Sequence, residues 1–155
     1  MSYRFTSSFP YLLNRVGVRM GELFSRRLAE FDLTLPMYRT MAALKQEGPQ
    51  RLGDLSAMTT TELSTLSRLI TTMKRNGLVS RIRPDDNART VRIELTEMGD
   101  KLVTKLMPIA AHFEAVGTNS FSSAEVDWLK SALRKIYQNL EALDVETGTN
   151  STQTK

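Results

Sequence analysis

The sequence predicts a mainly helical chain carrying one small β-hairpin. Three observations carry that expectation. Apolar residues recur at three- and four-residue steps over most of the chain. The period switches to two only around Val91, Ile93 and Leu95. Capping residues, prolines and an Asn-Gly pair punctuate the segments between. At 155 residues, 41% hydrophobic and 25% charged, the composition is that of a globular domain, neither disordered nor membrane-embedded. No apolar run approaches the roughly 18 residues of a membrane span. Residues 1–11 hold one charge and no long apolar core, so no signal peptide is expected. Cysteine is absent, which excludes disulfides and thiolate metal sites and suits a reducing cytoplasm.

Over residues 9–31, Phe9, Leu12, Leu13, Val16, Met20, Leu23, Phe24 and Leu28 line one face of a long amphipathic helix. Thr34-Leu35-Pro36 offers an N-cap and a first-turn proline for a second helix, which Gly48-Pro49 stops after Glu47. Arg51-Leu52 reads as a one-bond strand, and residues 54–58 as a short helix. Thr59-Thr60-Thr61 has poor helix propensity and good capping chemistry, and marks a turn. Leu63, Leu66, Leu69, Ile70 and Met73 define the next helix, closed by Asn76-Gly77.

Residues 78–83 and the alternating residues 90–95 then pair as a hairpin around Pro84-Asp85-Asp86-Asn87-Ala88. Thr96 caps a helix through Leu102, Leu106 and Ile109, with a bend expected at Pro108. Ser122-Ser123-Ala124-Glu125 is a capping box. It opens a last helix in which Leu129, Leu133, Ile136, Leu140 and Leu143 form a short heptad-like seam. Beyond Asp144 the polar composition predicts a disordered tail, residues 145–155.

Helix, short helix, turn, helix, hairpin is the order of a winged helix-turn-helix. The formal net charge is +4, and its placement says more than its size. Arg68, Lys74, Arg75, Arg81, Arg83, Arg89 and Arg92 crowd one short stretch, opposed only by Asp85 and Asp86. Rotating the Leu63 helix by about 100 degrees per residue separates two faces. Its apolar residues turn toward a core. The opposite face collects Thr61, Ser64, Arg68, Thr71, Thr72 and Arg75, flanked by Thr65, Ser67 and Lys74. Small residues admit close approach, hydroxyls bond phosphates or bases, and arginine grips guanine in a bidentate way, as the DNA major groove requires. Glu62 complements the helix dipole and falls off this face.

Residues 33–99 resemble the DNA-binding core of MarR-type (multiple antibiotic resistance) transcriptional regulators. The matching pieces are Leu33-Thr34-Leu35-Pro36-Met37-Tyr38-Arg39, Glu47-Gly48-Pro49, Leu55-Ser56, Ser64-Thr65-Leu66-Ser67-Arg68-Leu69-Ile70, Asn76-Gly77-Leu78-Val79 and Leu95-Thr96-Glu97-Met98-Gly99. With the flanking helices the resemblance covers nearly the whole chain. It implies a winged helix-turn-helix over residues 33–96 and a helical dimerisation region from residues 1–32 and 97–144. The family's wing tip carries Asp-x-Arg, where this chain has Asn87-Ala88-Arg89. By resemblance Arg89 enters the minor groove; Asn87 or Asp86 would brace it. A homodimer on a near-palindromic operator in double-stranded DNA, acting as a repressor in the cytoplasm, is the expectation that follows. The seam of the last helix fits that dimer or an ordinary intrachain core.

The resemblance also implies a small-molecule effector. Arg15, Arg19 and Arg26 border the apolar face of the first helix, with Arg27 near its middle and Glu22 the one acid in the row. Such a row suits an anion with a hydrophobic body, an aromatic carboxylate or a coenzyme A thioester, and equally suits salt bridges or solvent. Met37, Tyr38, Met41 and His112 join the candidate pocket by family analogy. No cofactor, metal site or catalytic motif is expected, given one histidine, no phosphate-binding glycine loop and no nucleophile elbow. The alternatives are a winged-helix protein-interaction module and a non-specific DNA binder.

Overall fold

The computed structural model describes residues 3–83 and 90–150, with side chains as far as residue 143. A single turn of 3-10 helix at Phe5–Ser7 precedes α1 (Phe9–Ala29), α2 (Leu35–Glu47), α3 (Leu52–Thr59) and α4 (Leu63–Arg75). Strands β1 (Val79–Ile82) and β2 (Arg92–Leu95) follow, then α5 (Glu97–Gly117) and α6 (Ser123–Asn150).

The punctuation residues act as their chemistry dictates. Thr34 caps α2 through its hydroxyl, which accepts from the Met37 N–H. Gly48 and Gly77 take positive φ at the ends of α2 and α4, conformations a side chain would strain. Thr96 accepts from the Gly99 N–H at the start of α5 and donates to the Gly77 carbonyl, tying the hairpin base to that helix. Glu125 and Ser122 complete the capping box of α6 reciprocally, and those bonds lower the Glu125 carboxyl below its ordinary range.

The hairpin is antiparallel with Val79 opposite Leu95 and Arg81 opposite Ile93. A third backbone segment joins β2 through one bridge, at Gln50 rather than at the expected Arg51-Leu52. Its N–H donates to the Ile93 carbonyl at 2.9 Å and its carbonyl accepts from the Ile93 N–H at 2.7 Å. Arg51 and Leu52 are taken up instead as N-cap and first residue of α3, which also begins earlier than residue 54.

Two compact units divide between Phe113 and Glu114. In the first, one core gathers Phe24 and Leu28 of α1, Met37, Met41 and Leu44 of α2, and Leu55 of α3 with Leu66, Ile70 and Met73 of α4. Val79, Ile93, Val103 and Leu106 complete it. The expected boundaries at residues 32 and 97 therefore do not divide the packing: α1 and most of α5 share their core with the winged helix. In the second unit α6 runs on past Asp144 to Asn150, where a disordered tail is expected from residue 145. Extending an existing helix needs no new nucleus, so a polar sequence can propagate it.

Candidate nucleic-acid interface

The turn between α3 and α4 is built from hydroxyls. Thr60 adopts the left-handed conformation (φ 51°) as the cap of α3. The Thr61 N–H donates to the Ser56 carbonyl at 3.1 Å, and the Ser56 hydroxyl returns a 2.6 Å bond to the Thr61 carbonyl. Thr59, buried, donates to the Leu55 carbonyl at 2.7 Å. These closed contacts hold α4 at a set angle across α3.

Helix α4 is anchored on its inner side by Leu66, Ile70 and Met73, all fully buried. Leu63, expected on that side, is exposed because it sits at the first residue, beyond the edge of the core. The outer side presents Ser64, Thr65, Arg68, Thr71, Lys74 and Arg75 exposed, with Thr61, Ser67 and Thr72 half-buried. The structure thus brings the predicted reading residues together on one surface. The hydroxyl protons of Thr71 and Thr72 are already spent. Thr71 donates to the Ser67 carbonyl at 3.1 Å and Thr72 to the Arg68 carbonyl at 3.3 Å. Those threonines offer a partner lone pairs and methyl groups, while the guanidinium groups supply donors.

Arg81 and Arg83, two residues apart, share one exposed face of the hairpin and flank a groove with Leu52, Val91 and Ile93. Among the described residues no carboxylate pairs with Arg68, Lys74, Arg75, Arg81 or Arg83. The wing-tip residues Asn87 and Arg89, with Asp86, lie outside the described residues. The interface among the described residues is therefore a positive surface with unspent charge.

A second candidate site lies among α1, α2 and α5. A cavity of about 320 Å³ is lined by Gly17, Met20, Gly21, Phe24, Leu35, Tyr38, Arg39, Ala110 and Phe113. The Phe24 ring packs edge-on against Tyr38 at 4.8 Å and Phe113 at 5.4 Å. Burial pushes the Tyr38 phenol up from its ordinary value, so it keeps its proton and can donate it. Of the predicted ligand residues only Tyr38 lines this cavity. Met37 and Met41 lie in the core. Arg15 stacks over Tyr11 at 5.7 Å and Arg19 faces Glu22 at 3.9 Å, both along the surface of α1. Arg26 and His112 are exposed and line none of this cavity. Phe24 was marked only as an apolar residue of the first helix, and no local signal singled out Arg39 or Phe113, because their meeting is a contact between three helices.

The model of the transcriptional regulator SarA/Rot family matches residues 22–106, from within α1 to the middle of α5. The chain belongs to this family. The repressor IacR of Pseudomonas putida is 26% identical over 136 residues, 87% of this chain and 81% of IacR. A MarR family transcriptional regulator from Silicibacter pomeroyi superposes with a TM-score of 0.80 at 25% identity, covering 87% of this chain and 91% of that one. BpsR of Bordetella bronchiseptica shares the fold with a TM-score of 0.74 at 24% identity, covering 89% and 99%. The protein is a DNA-binding transcriptional regulator with the MarR-type winged helix, and its family and relatives are regulators rather than enzymes. No helix among the described residues is long and apolar enough to cross a membrane.

Proposed function

We propose that the protein is a dimeric, sequence-specific repressor that reads a near-palindromic operator through α4 and the hairpin, and is released by a small aromatic carboxylate. The observation that carries the DNA part is the basic outer face of α4, unpaired among the described residues, rigidly backed by Leu66, Ile70 and Met73 and adjoined by Arg81 and Arg83. Arg68 and Arg75 point the same way and contact bases or phosphates; Lys74 and the hairpin arginines hold the backbone. The wing arginine Arg89 reaches the minor groove, as in the family it resembles.

The dimer is supported by apolar side chains the single chain leaves exposed. On α1 these are Phe9, Leu12, Leu13 and Val16; on α6, Trp128, Leu129, Tyr137 and Leu140. Exposure on this scale marks an interaction surface, and a second copy would pair two recognition helices about one DNA turn apart. The effector part rests on the α1–α2–α5 cavity, where an aromatic ring would lie against the wall made by Phe24 and Phe113 while Tyr38 and Arg39 meet its carboxylate. BpsR, whose DNA binding is regulated by 6-hydroxynicotinic acid, has such a response on the same fold. A cavity near the low end of small-molecule sites favours the carboxylate over a coenzyme A thioester. The protein works where its operator is, in the cytoplasm.

Selection of duplex DNA from a random pool, at low and moderate salt, tests this reading. An enriched inverted repeat with half-sites about one helical turn apart is expected, with light scattering at micromolar concentration giving twice the chain mass. Weak binding that enriches nothing and vanishes with modest salt would leave a non-specific binder or an interaction module.

A further inference from the structure

We infer that Glu62 is a base-reading residue of this interface, its carboxylate accepting from the exocyclic amino group of a cytosine in the major groove. Rotation along the helix places Glu62 off the reading face. Its side chain folds back onto that face. Oε1 accepts from the Ser64 N–H at 3.0 Å, and Oε2 accepts from the Thr65 N–H at 3.0 Å. Oε2 also accepts from the Ser64 hydroxyl at 2.5 Å and the Thr65 hydroxyl at 3.0 Å. The carboxylate therefore lies over the outer first turn of α4, beside the two side chains expected to touch DNA, and it is exposed.

Those bonds, the Ser64 hydroxyl first and then the two backbone N–H groups, hold the carboxyl at about 2. It is a full anion at any physiological pH. Two consequences follow for DNA. The start of α4 spends the Ser64 and Thr65 N–H groups on Glu62, so these two are not free for a phosphate as at open helix starts. A fixed anion is also repelled by the phosphate backbone, and its only attractive partners there are base amino groups in the major groove. Adenine sets its N7 acceptor beside N6, against a carboxylate; cytosine N4 has no acceptor on its own base edge. Oε1 accepts a single bond and keeps a lone pair for this contact. The N-terminal residues of a recognition helix are those that meet base edges.

The inference rests on α4 being the reading helix, and the test separates the two. Random-pool selection is run with wild type, Glu62→Ser and Arg68→Ala. Serine is itself a good N-cap, so it keeps the helix start while removing the carboxylate. Wild type is expected to require cytosine at one position of each half-site. Glu62→Ser should lose about tenfold discrimination there and keep the other positions, the usual scale for one base pair. Replacing that cytosine with a pyrimidinone lacking the 4-amino group should weaken wild type by a similar factor and leave Glu62→Ser unaffected. If Arg68→Ala alters the selected sequence and Glu62→Ser does not, Glu62 is only a cap and the inference fails. A uniform change in affinity for all sequences overturns it as well. If neither variant alters the sequence, α4 is not the reading helix. Should Glu62→Ser fail to fold by circular dichroism, the modified base on wild type alone decides.

Discussion

At the scale of single residues, the two glycines beside the hairpin base have different reasons to be glycine. Gly77 needs positive φ to end α4. Gly99 sits in α5 with ordinary helical backbone, and the constraint is space: a Cβ there would fall 2.1 Å from the Leu78 carbonyl oxygen. That oxygen belongs to backbone and accepts from the Thr96 N–H, so it has little room to retreat. Gly99→Ala is expected to destabilise the fold by at least about 1–3 kcal/mol, the cost of overpacking. A thermal melt should fall by several degrees, and an unchanged melt would mean that α5 does not pack so closely on the hairpin. Thr60 is the other residue whose conformation matters. It accepts left-handed backbone where the turn between α3 and α4 must be tight, and three threonines in succession gave no sign of which one would do so.

At the scale of elements, the proposed interface is two pieces to which different tasks are assigned. Helix α4 carries donors on Arg68 and Arg75 and acceptors on its threonines, the combination that distinguishes bases. The hairpin arginines Arg81 and Arg83 extend from a short sheet and suit phosphates. Arg81→Ala is therefore expected to weaken binding to all duplexes alike and to reduce the slope of log affinity against log salt by about 1. Affinity measured over a salt series checks this; a sequence-dependent loss would move Arg81 into the base-reading set. The elements themselves were legible because the helices are amphipathic and capping or stop residues punctuate the segments between them. Their edges were less so, since the residue that bridges β2 is chosen by where α3 must start rather than by any local pattern around Gln50.

At the scale of the whole molecule, the first compact unit joins the α1–α2–α5 cavity, the proposed effector site, to the proposed reading helix α4 through one continuous core. Met37 and Met41 of α2 sit in the same buried cluster as Leu66 and Ile70 of α4, while the next residues of α2, Tyr38 and Arg39, line the cavity. On the proposed function, a ligand that moves α2 would push on the packing that sets α4. Arg39→Ala is expected to leave DNA affinity intact and abolish release by a panel of benzoates, measured as DNA displaced at rising ligand concentration. Arg15→Ala should respond as wild type, because Arg15 lies away from the cavity. Release lost with Arg15→Ala and kept with Arg39→Ala would return the anion site to the arginine row of α1.

The sequence by itself determined the order of elements, the caps of α2, α5 and α6 and the basic outer face of α4, because hydrophobic period, capping chemistry and charge are properties of neighbouring residues. It determined in the same way that Leu66, Ile70 and Met73 face inward. Tertiary structure alone decided which aromatic groups meet around the cavity, since Phe24, Tyr38 and Phe113 come from three helices. It also decided that Glu62 turns back onto the outer first turn of α4, for which four donors from Ser64 and Thr65 had to converge on one carboxylate. Local patterns report what each helix can bury or expose; only packing and hydrogen-bond geometry report what each side chain then finds within reach.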